Sequence, residues 1–108
     1  MELSFSTTLL RSICEHEKIA HQHFDQEVAR ELRARIADMV AAESLADIPD
    51  LLLTSSIHKG QECILLQLPS GKSINFIAGH TKLPILKAGG VDWSKVYRVK
   101  IIEIGGLS

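Results

Sequence analysis

Pro69-Ser70-Gly71 lies between two apolar runs, and this short break constrains the fold more than any other feature of the chain. Proline suits the second position of a tight turn, and glycine tolerates the left-handed backbone that closes it. The stretch from Ile57 to Ile77, IHKGQECILLQLPSGKSINFI, therefore reads as a β-hairpin. After the turn, Ile74, Phe76 and Ala78 alternate with Ser73, Asn75 and Ile77, so one strand face is apolar and the other mixed. Before it, Ile64, Leu66 and Leu68 share a face while Cys63 and Leu65 add apolar surface opposite. That strand is expected to be central and covered on much of both faces.

The remaining segments read as elements packed on this hairpin or feeding into it. Met1 to Phe5 alternates apolar and polar residues and runs into Ser6-Thr7-Thr8, which reads as a first strand followed by a helix N-cap. A first helix is expected from Thr8 to about His21, on the stripe Leu9, Leu10, Ile13, Cys14 and Ala20. A second is expected from Gln26 to about Glu43, capped by Asp25, because Phe24, Val28, Leu32, Ile36, Met39 and Val40 recur at three- and four-residue intervals. Its other side carries Glu27, Arg30, Glu31, Arg33 and Arg35, with Glu31 and Arg35 spaced as an i,i+4 ion pair. Pro49 disfavours helical backbone at Ile48, and Leu51 to Ile57 reads as the next strand. Gly79 to Lys95 carries Pro84, Gly89-Gly90 and three lysines, which reads as a long loop with Asp92 placed to cap one turn at Trp93-Ser94-Lys95. A last strand, Val96 to Ile104, is expected to put Tyr97, Val99 and Ile101 on one face and Arg98 and Lys100 on the other, with Val96, Ile102 and Ile104. The fold class is α/β (α+β): two helices on one face of a mainly antiparallel sheet with a short N-terminal strand, in a single domain spanning residues 1–108.

Composition bounds the class of protein. With 45% hydrophobic and 23% charged residues the chain has the make-up of a folded domain rather than a disordered one. No run approaches the roughly 20 apolar residues that span a bilayer, and no basic start precedes an apolar signal core, so a cytoplasmic protein without membrane contact is expected. Cys14 and Cys63 lack metal-type spacing and read as buried or half-buried thiols. His16, His21 and His23 are five and two residues apart and do not share a helical face; only Glu17 with His21 has i,i+4 spacing. No metal or cofactor is expected.

The net charge of −1 hides an asymmetry. Residues 1–50 hold ten acidic and five basic side chains, a balance of −5, whereas residues 51–108 hold three acidic and seven basic ones, a balance of +4. A mildly basic sheet half beside an acidic helical half can meet phosphate on one side only. An ordinary solvated surface accounts for the same numbers.

Strand, helix, helix, then strands, with the wording of particular segments, resembles the RelE/ParE superfamily of toxins from bacterial toxin–antitoxin pairs, nearest its HigB-like "killer" branch. The segments are MELSF at the start, the Ile13 to Lys18 element, EVARELRARIADMVAAESLADIP from Glu27 to Pro49, LPSG at the hairpin turn, GGVDWSKV from Gly89 to Val96 and VKIIEI from Val99 to Ile104. The resemblance implies a RelE-like fold, an mRNA endoribonuclease acting on the ribosome, and a small cognate antitoxin through which the toxin can oligomerise. The alternative it implies is a non-catalytic or weakened relative that works by binding antitoxin, RNA or, as in the ParE branch, gyrase.

Such cleavage needs a base for the ribose 2′-hydroxyl, cations for charge developing on phosphate, and an acid for the leaving 5′-oxygen. The residues that fit are His58 and Lys59 entering the hairpin, Lys72 after its turn, and Arg98 on the last strand; Lys59, Lys72, Arg98 and Lys100 would together hold RNA in one basic groove. An imidazole titrates near neutrality, about 6.5, which makes His58 the first choice for the base. A surface role explains each cation taken singly, so convergence on one sheet face is the test. Two departures from the family pattern stand out. Ser73-Ile74-Asn75-Phe76 lacks an arginine that relatives often carry there, and Gly105-Gly106 replaces a Tyr-His-type tail. Lys72 could substitute for the arginine as a point charge without bidentate geometry.

Overall fold

The computed structural model describes residues 1–108. The chain runs β1 (Glu2–Phe5), α1 (Thr8–Glu15), α2 (Glu17–His23), α3 (Gln26–Ala41), β2 (Leu53–His58), β3 (Gln61–Gln67), β4 (Ser73–Ala78) and β5 (Arg98–Ile104), with single 3-10 turns at Leu45–Asp47, Asp50–Leu52 and Trp93–Lys95. The five strands form one sheet in the order β1-β5-β4-β3-β2, antiparallel except for the parallel β1–β5 pair. The α+β architecture expected from the sequence is present, with the helices packed against the sheet. The central strand is β4, and β3 lies next to the edge.

Helix starts follow their capping chemistry. The Thr7 hydroxyl accepts the Leu10 N–H at 3.2 Å, and an Asp25 carboxylate oxygen accepts the Val28 N–H at 2.9 Å, each satisfying one of the donors a helix start leaves free. The single helix expected from Thr8 to His21 is instead two, because His16 is extended at φ −125° and ψ 111°. A straight helix would carry the stripe of Leu10 and Ile13 on to Glu17; the break lets Glu17 stay exposed while Ala20 and Phe24 turn inward. α3 ends at Ala41, two residues before the expected end, and Val40 is 57% exposed rather than core. The expected Glu31–Arg35 pair does not form: Arg35 Nη2 lies 3.0 Å from Asp38, and Glu31 caps a turn of the sheet.

The core lies between the helices and one sheet face. Leu10, Ile13, Val28, Ala29, Leu32 and Met39 from the helices meet Ile64, Leu66, Ile74, Phe76, Val99 and Ile101 from the strands. Burying each large aliphatic or aromatic side chain stabilises the fold by about 1.5–3 kcal/mol. Two strand boundaries move. β2 starts at Leu53, and Leu51, expected in the strand, is 96% exposed in the preceding 3-10 turn. β5 starts at Arg98, leaving Tyr97 half-exposed instead of on the core face. Strict alternation sets Ile104 on the face of Lys100, but Phe76 pairs with Ile101 and Asn75 with Glu103, so Ile102 is an extra residue, and this bulge turns Ile104 into the core.

At the β3–β4 turn the Gly71 N–H donates to Leu68 O at 2.9 Å, and Gly71 has a φ of 92°. That is the geometry the Pro-Ser-Gly sequence demands. Gly79 to Lys95 is irregular apart from an isolated Ile85–Val91 bridge and the 3-10 turn. It is tied to the sheet by the Glu62 carboxylate, which accepts the Val91 N–H at 2.7 Å. No helix is long and apolar enough to cross a membrane.

Candidate nucleic-acid interface on the helix-free face

Strand alternation decides which side chains stand on the sheet face that carries no helix. Register places Ser4, Lys100 and Ile77 in one row across β1, β5 and β4. Thr54, Leu65, Asn75 and Glu103 form another, and Ser56 with Cys63 and His58 with Gln61 complete the face near the edge. Cys63, Leu65, Ile77 and Ile102 lie outside the main core cluster, as this placement requires. The face is therefore polar with an apolar floor. At its middle Cys63 is only 1% exposed, and Asn75 is 6% exposed with a buried Oδ1 that no donor reaches. Cys63 and Cys14 are both free thiols; burial, with the Glu15 carboxylate beside it, pushes Cys14 up to about 12.

A groove of about 440 Å³ crosses this face diagonally. Ser6 and Thr7, where β1 gives way to α1, line one end; His58, Lys59 and Gln61, at the β2–β3 turn, line the other. Ile77 and Ile102 form the floor, and Ser108 stands on the rim. The C-terminal residues reach the rim because Leu107 folds back on Ile104, with hydrogen bonds of 2.8 and 2.9 Å.

The turn that presents His58 and Lys59 is a two-residue loop, Lys59-Gly60, with φ of 52° and 78°. Two positive φ values match the twist of the flanking strands. Gly60 adopts the conformation freely, whereas Lys59 is the one non-glycine residue with positive φ, a placement that costs about 1–2 kcal/mol. A strained lysine at the mouth of a groove is the kind of backbone outlier that clusters at functional sites.

The expected cations do not all converge. Lys59 lines the groove, and Lys100, the register partner of Ile77, stands beside it on the same face. Arg98 lies at the β5 start, ion-paired through Nε to Glu2 and 5.6 Å from the Tyr97 ring centre. Lys72 is elsewhere: it follows the β3–β4 turn, at the opposite end of β3 from Lys59, with its side chain against Gly105. A seven-residue antiparallel strand separates the two ends by roughly 20 Å, and Lys72 does not line the groove that holds Lys59. Glu103 shares the face as well, so its charge is mixed rather than uniformly basic.

His80, which had no role in the sequence reading, belongs to the Arg98 corner. Its Nε2 accepts the N–H groups of Tyr97 and Arg98 at 3.1 and 3.3 Å, and its ring meets Tyr97 edge-on with centres 4.3 Å apart. Spacing gave no signal for it, since the partners are 17 and 18 residues away. The Ser6, Thr7 and Ser108 hydroxyl groups were missed for the same reason.

No protein-family model, no curated protein and no solved structure matches this chain.

Proposed function

We propose that the chain is the toxin of a toxin–antitoxin pair of the RelE/ParE kind, an endoribonuclease that holds messenger RNA on the helix-free face of the sheet and works in the cytoplasm, on the ribosome. The observation that carries this reading is the groove in which His58 and Lys59 share one mouth, with Lys100 beside the floor. Each part has a task in metal-free phosphodiester cleavage. His58 takes the proton of a ribose 2′-hydroxyl, the oxygen attacks the adjacent phosphorus, and a cyclic phosphate forms as the bond to the 5′-oxygen breaks and that oxygen takes a proton from water. Lys59 and Lys100 offset the charge that grows on the phosphoryl oxygens. Ser6, Thr7 and Ser108 offer hydroxyl groups to the sugar–phosphate chain, and the apolar floor of Ile77 and Ile102 accommodates a base.

The test uses purified protein with single-stranded RNA and with programmed ribosomes. His58→Gln should slow cleavage about 100-fold or more while changing binding little. Lys59→Gly should weaken binding and lower its salt slope by roughly 0.7–0.9, yet raise stability, because glycine relieves the positive φ. Lys72→Gln should do neither. Wild-type cleavage in the His58 and Lys59 variants would remove the groove from the mechanism. In cells, induced expression should arrest growth with cleaved transcripts, and a cognate antitoxin should lift the arrest.

A second reading, binding without cleavage, is favoured by the tail. Gly105 has a φ of 55°, and a Cβ there would stand 2.8 Å from Phe24 Cε1. The tail is thus built around glycine where the toxins that the sequence resembles commonly carry a Tyr-His-type ending. Growth arrest with intact transcripts would select this reading, and accompanying DNA-damage signalling would point to gyrase as the target.

A further inference from the structure

The edge strand β2 lacks every device that normally blunts an edge. Its sequence, LTSSIH, has no Lys, Asp, Glu or Pro, and its pairing with β3 runs without a bulge from Leu53–Leu66 to His58–Gln61. Beyond that ladder, the Leu53 N–H donates to the Asp50 carbonyl, and no other hydrogen bond of the chain reaches the β2 backbone. The other edge, β1, carries Glu2, and the Met1 ammonium before it is held by the Met39 and Val40 carbonyls at 3.0 Å.

We propose that β2 pairs antiparallel with β2 of a second copy, centred on Ser55, so that two sheets become one of ten strands. The phase of the hairpin supplies the register. His58 and Gln61 close a two-residue turn and so form a hydrogen-bonded pair, as do Ser56–Cys63 and Thr54–Leu65 by alternation. The N–H and C=O groups of Ser55 and Ile57, together with the Leu53 C=O, are therefore free on the outward side. A two-fold axis through Ser55 sets Ser55 against its own copy and Leu53 against Ile57 of the second copy, twice. All three outward residues are then used on both strands, and every side chain keeps its face of the sheet. A register centred on Thr54 or Ser56 would pair only two of these three outward residues within β2.

Packing and charge favour the same pairing. Ile57 is 64% exposed and shares the helix-side face with Leu53. Leu53, Ser55, Ile64 and Trp93 line an open hollow of about 510 Å³ beside that edge, and Ile57 of the second copy, opposite Leu53, borders it. Asp50 precedes β2 and Lys59 follows it. Antiparallel pairing brings Asp50 near Lys59 of the second copy at both ends, whereas parallel pairing would set like charges together. The two helix-free faces then lie on the same side of the joined sheet. The inference stands whether or not that face binds RNA.

Sedimentation and light scattering of the full chain, from micromolar to submillimolar concentration, should show the mass rise from 11.9 kDa to about twice that value. Over the same range amide exchange should slow at Ser55 and Ile57, while Thr54 and Ser56, already bonded to β3, and Leu53, bonded to Asp50, change little. Ser55→Pro removes the central outward N–H, which an edge strand tolerates, and should leave a folded monomer at every concentration. Ile57→Lys keeps every backbone bond and should weaken association at least tenfold, which guards against misfolding of the proline variant. A wild-type monomer throughout, whether or not another protein's strand covers the edge, overturns the proposal. So does a dimer in which the Ser55 and Ile57 amides exchange freely, or one that persists in both variants.

Discussion

Glu31, on the middle of α3, reaches the β3–β4 turn, where its carboxylate accepts the Ser70 N–H through both oxygens at 2.8 and 3.1 Å. This contact fastens the long helix to the hairpin turn from outside the core. Glu31→Ala should lower stability by about 1 kcal/mol, the size of a hydrogen bond to a charged group at a partly exposed site. Glu31→Gln keeps one acceptor and should lose less. Urea melts of the two variants measure the difference.

Leu32 and Arg33 are neighbours in α3 with opposite environments, buried and exposed. Leu32→Ala should cost roughly 2–5 kcal/mol, transfer and cavity terms together. Arg33 pairs with Glu17 at 2.9 Å, with both side chains more than half exposed, so Arg33→Ala should fall within about 0.5 kcal/mol of wild type. Similar losses in denaturant melts would mean that the helix face is wrongly assigned.

Gly105→Ala tests the tail. The new methyl group would meet Phe24 Cε1 at 2.8 Å and Lys72 Cδ at 3.2 Å, at a φ of 55° that alanine tolerates poorly. The expected loss is about 1–3 kcal/mol in a thermal or chemical melt. Gly106→Ala at φ 91° meets no atom within 4 Å, so only the backbone penalty applies and the loss should be smaller.

Cys14 makes stability fall at alkaline pH. Burial, and then the neighbouring Glu15 charge, raise its thiol from 9.0 to about 12. Above pH 9 the unfolded chain releases this proton while the folded chain keeps it, so the unfolded state binds fewer protons and stability declines between pH 9 and 12. Cys14→Ala removes this contribution, and the gap between wild-type and variant stability should narrow across that interval in parallel pH melts. Alkylation of Cys14 in the native protein should also be slow at pH 8, because little thiolate is present.

Much of the architecture is legible from local chemistry. Asp25, Thr7 and Pro69-Ser70-Gly71 act through backbone groups within a few residues, so the α3 start, the α1 start and the hairpin turn follow from sequence alone. The apolar alternation of Ile74, Phe76 and Ala78 likewise identifies the core face of β4 without knowledge of its neighbours. The separation of Lys59 from Lys72 was legible too, since a turn at each end of one strand cannot bring both to one place, yet counting charge by halves obscured it. Three outcomes needed the tertiary structure. The chain breaks at His16 because a straight helix would press Glu17 into the sheet, a conflict that exists only once the sheet is there. The bulge at Ile102 brings Ile104 into the core because β4 offers Asn75 and Phe76 in a register that β5 can meet only by taking in one extra residue. The groove joins Ser6, Thr7 and Ser108 to His58 and Lys59 because β1 lies parallel beside β5, and strand order is set by the packing of the whole sheet, which no local pattern encodes.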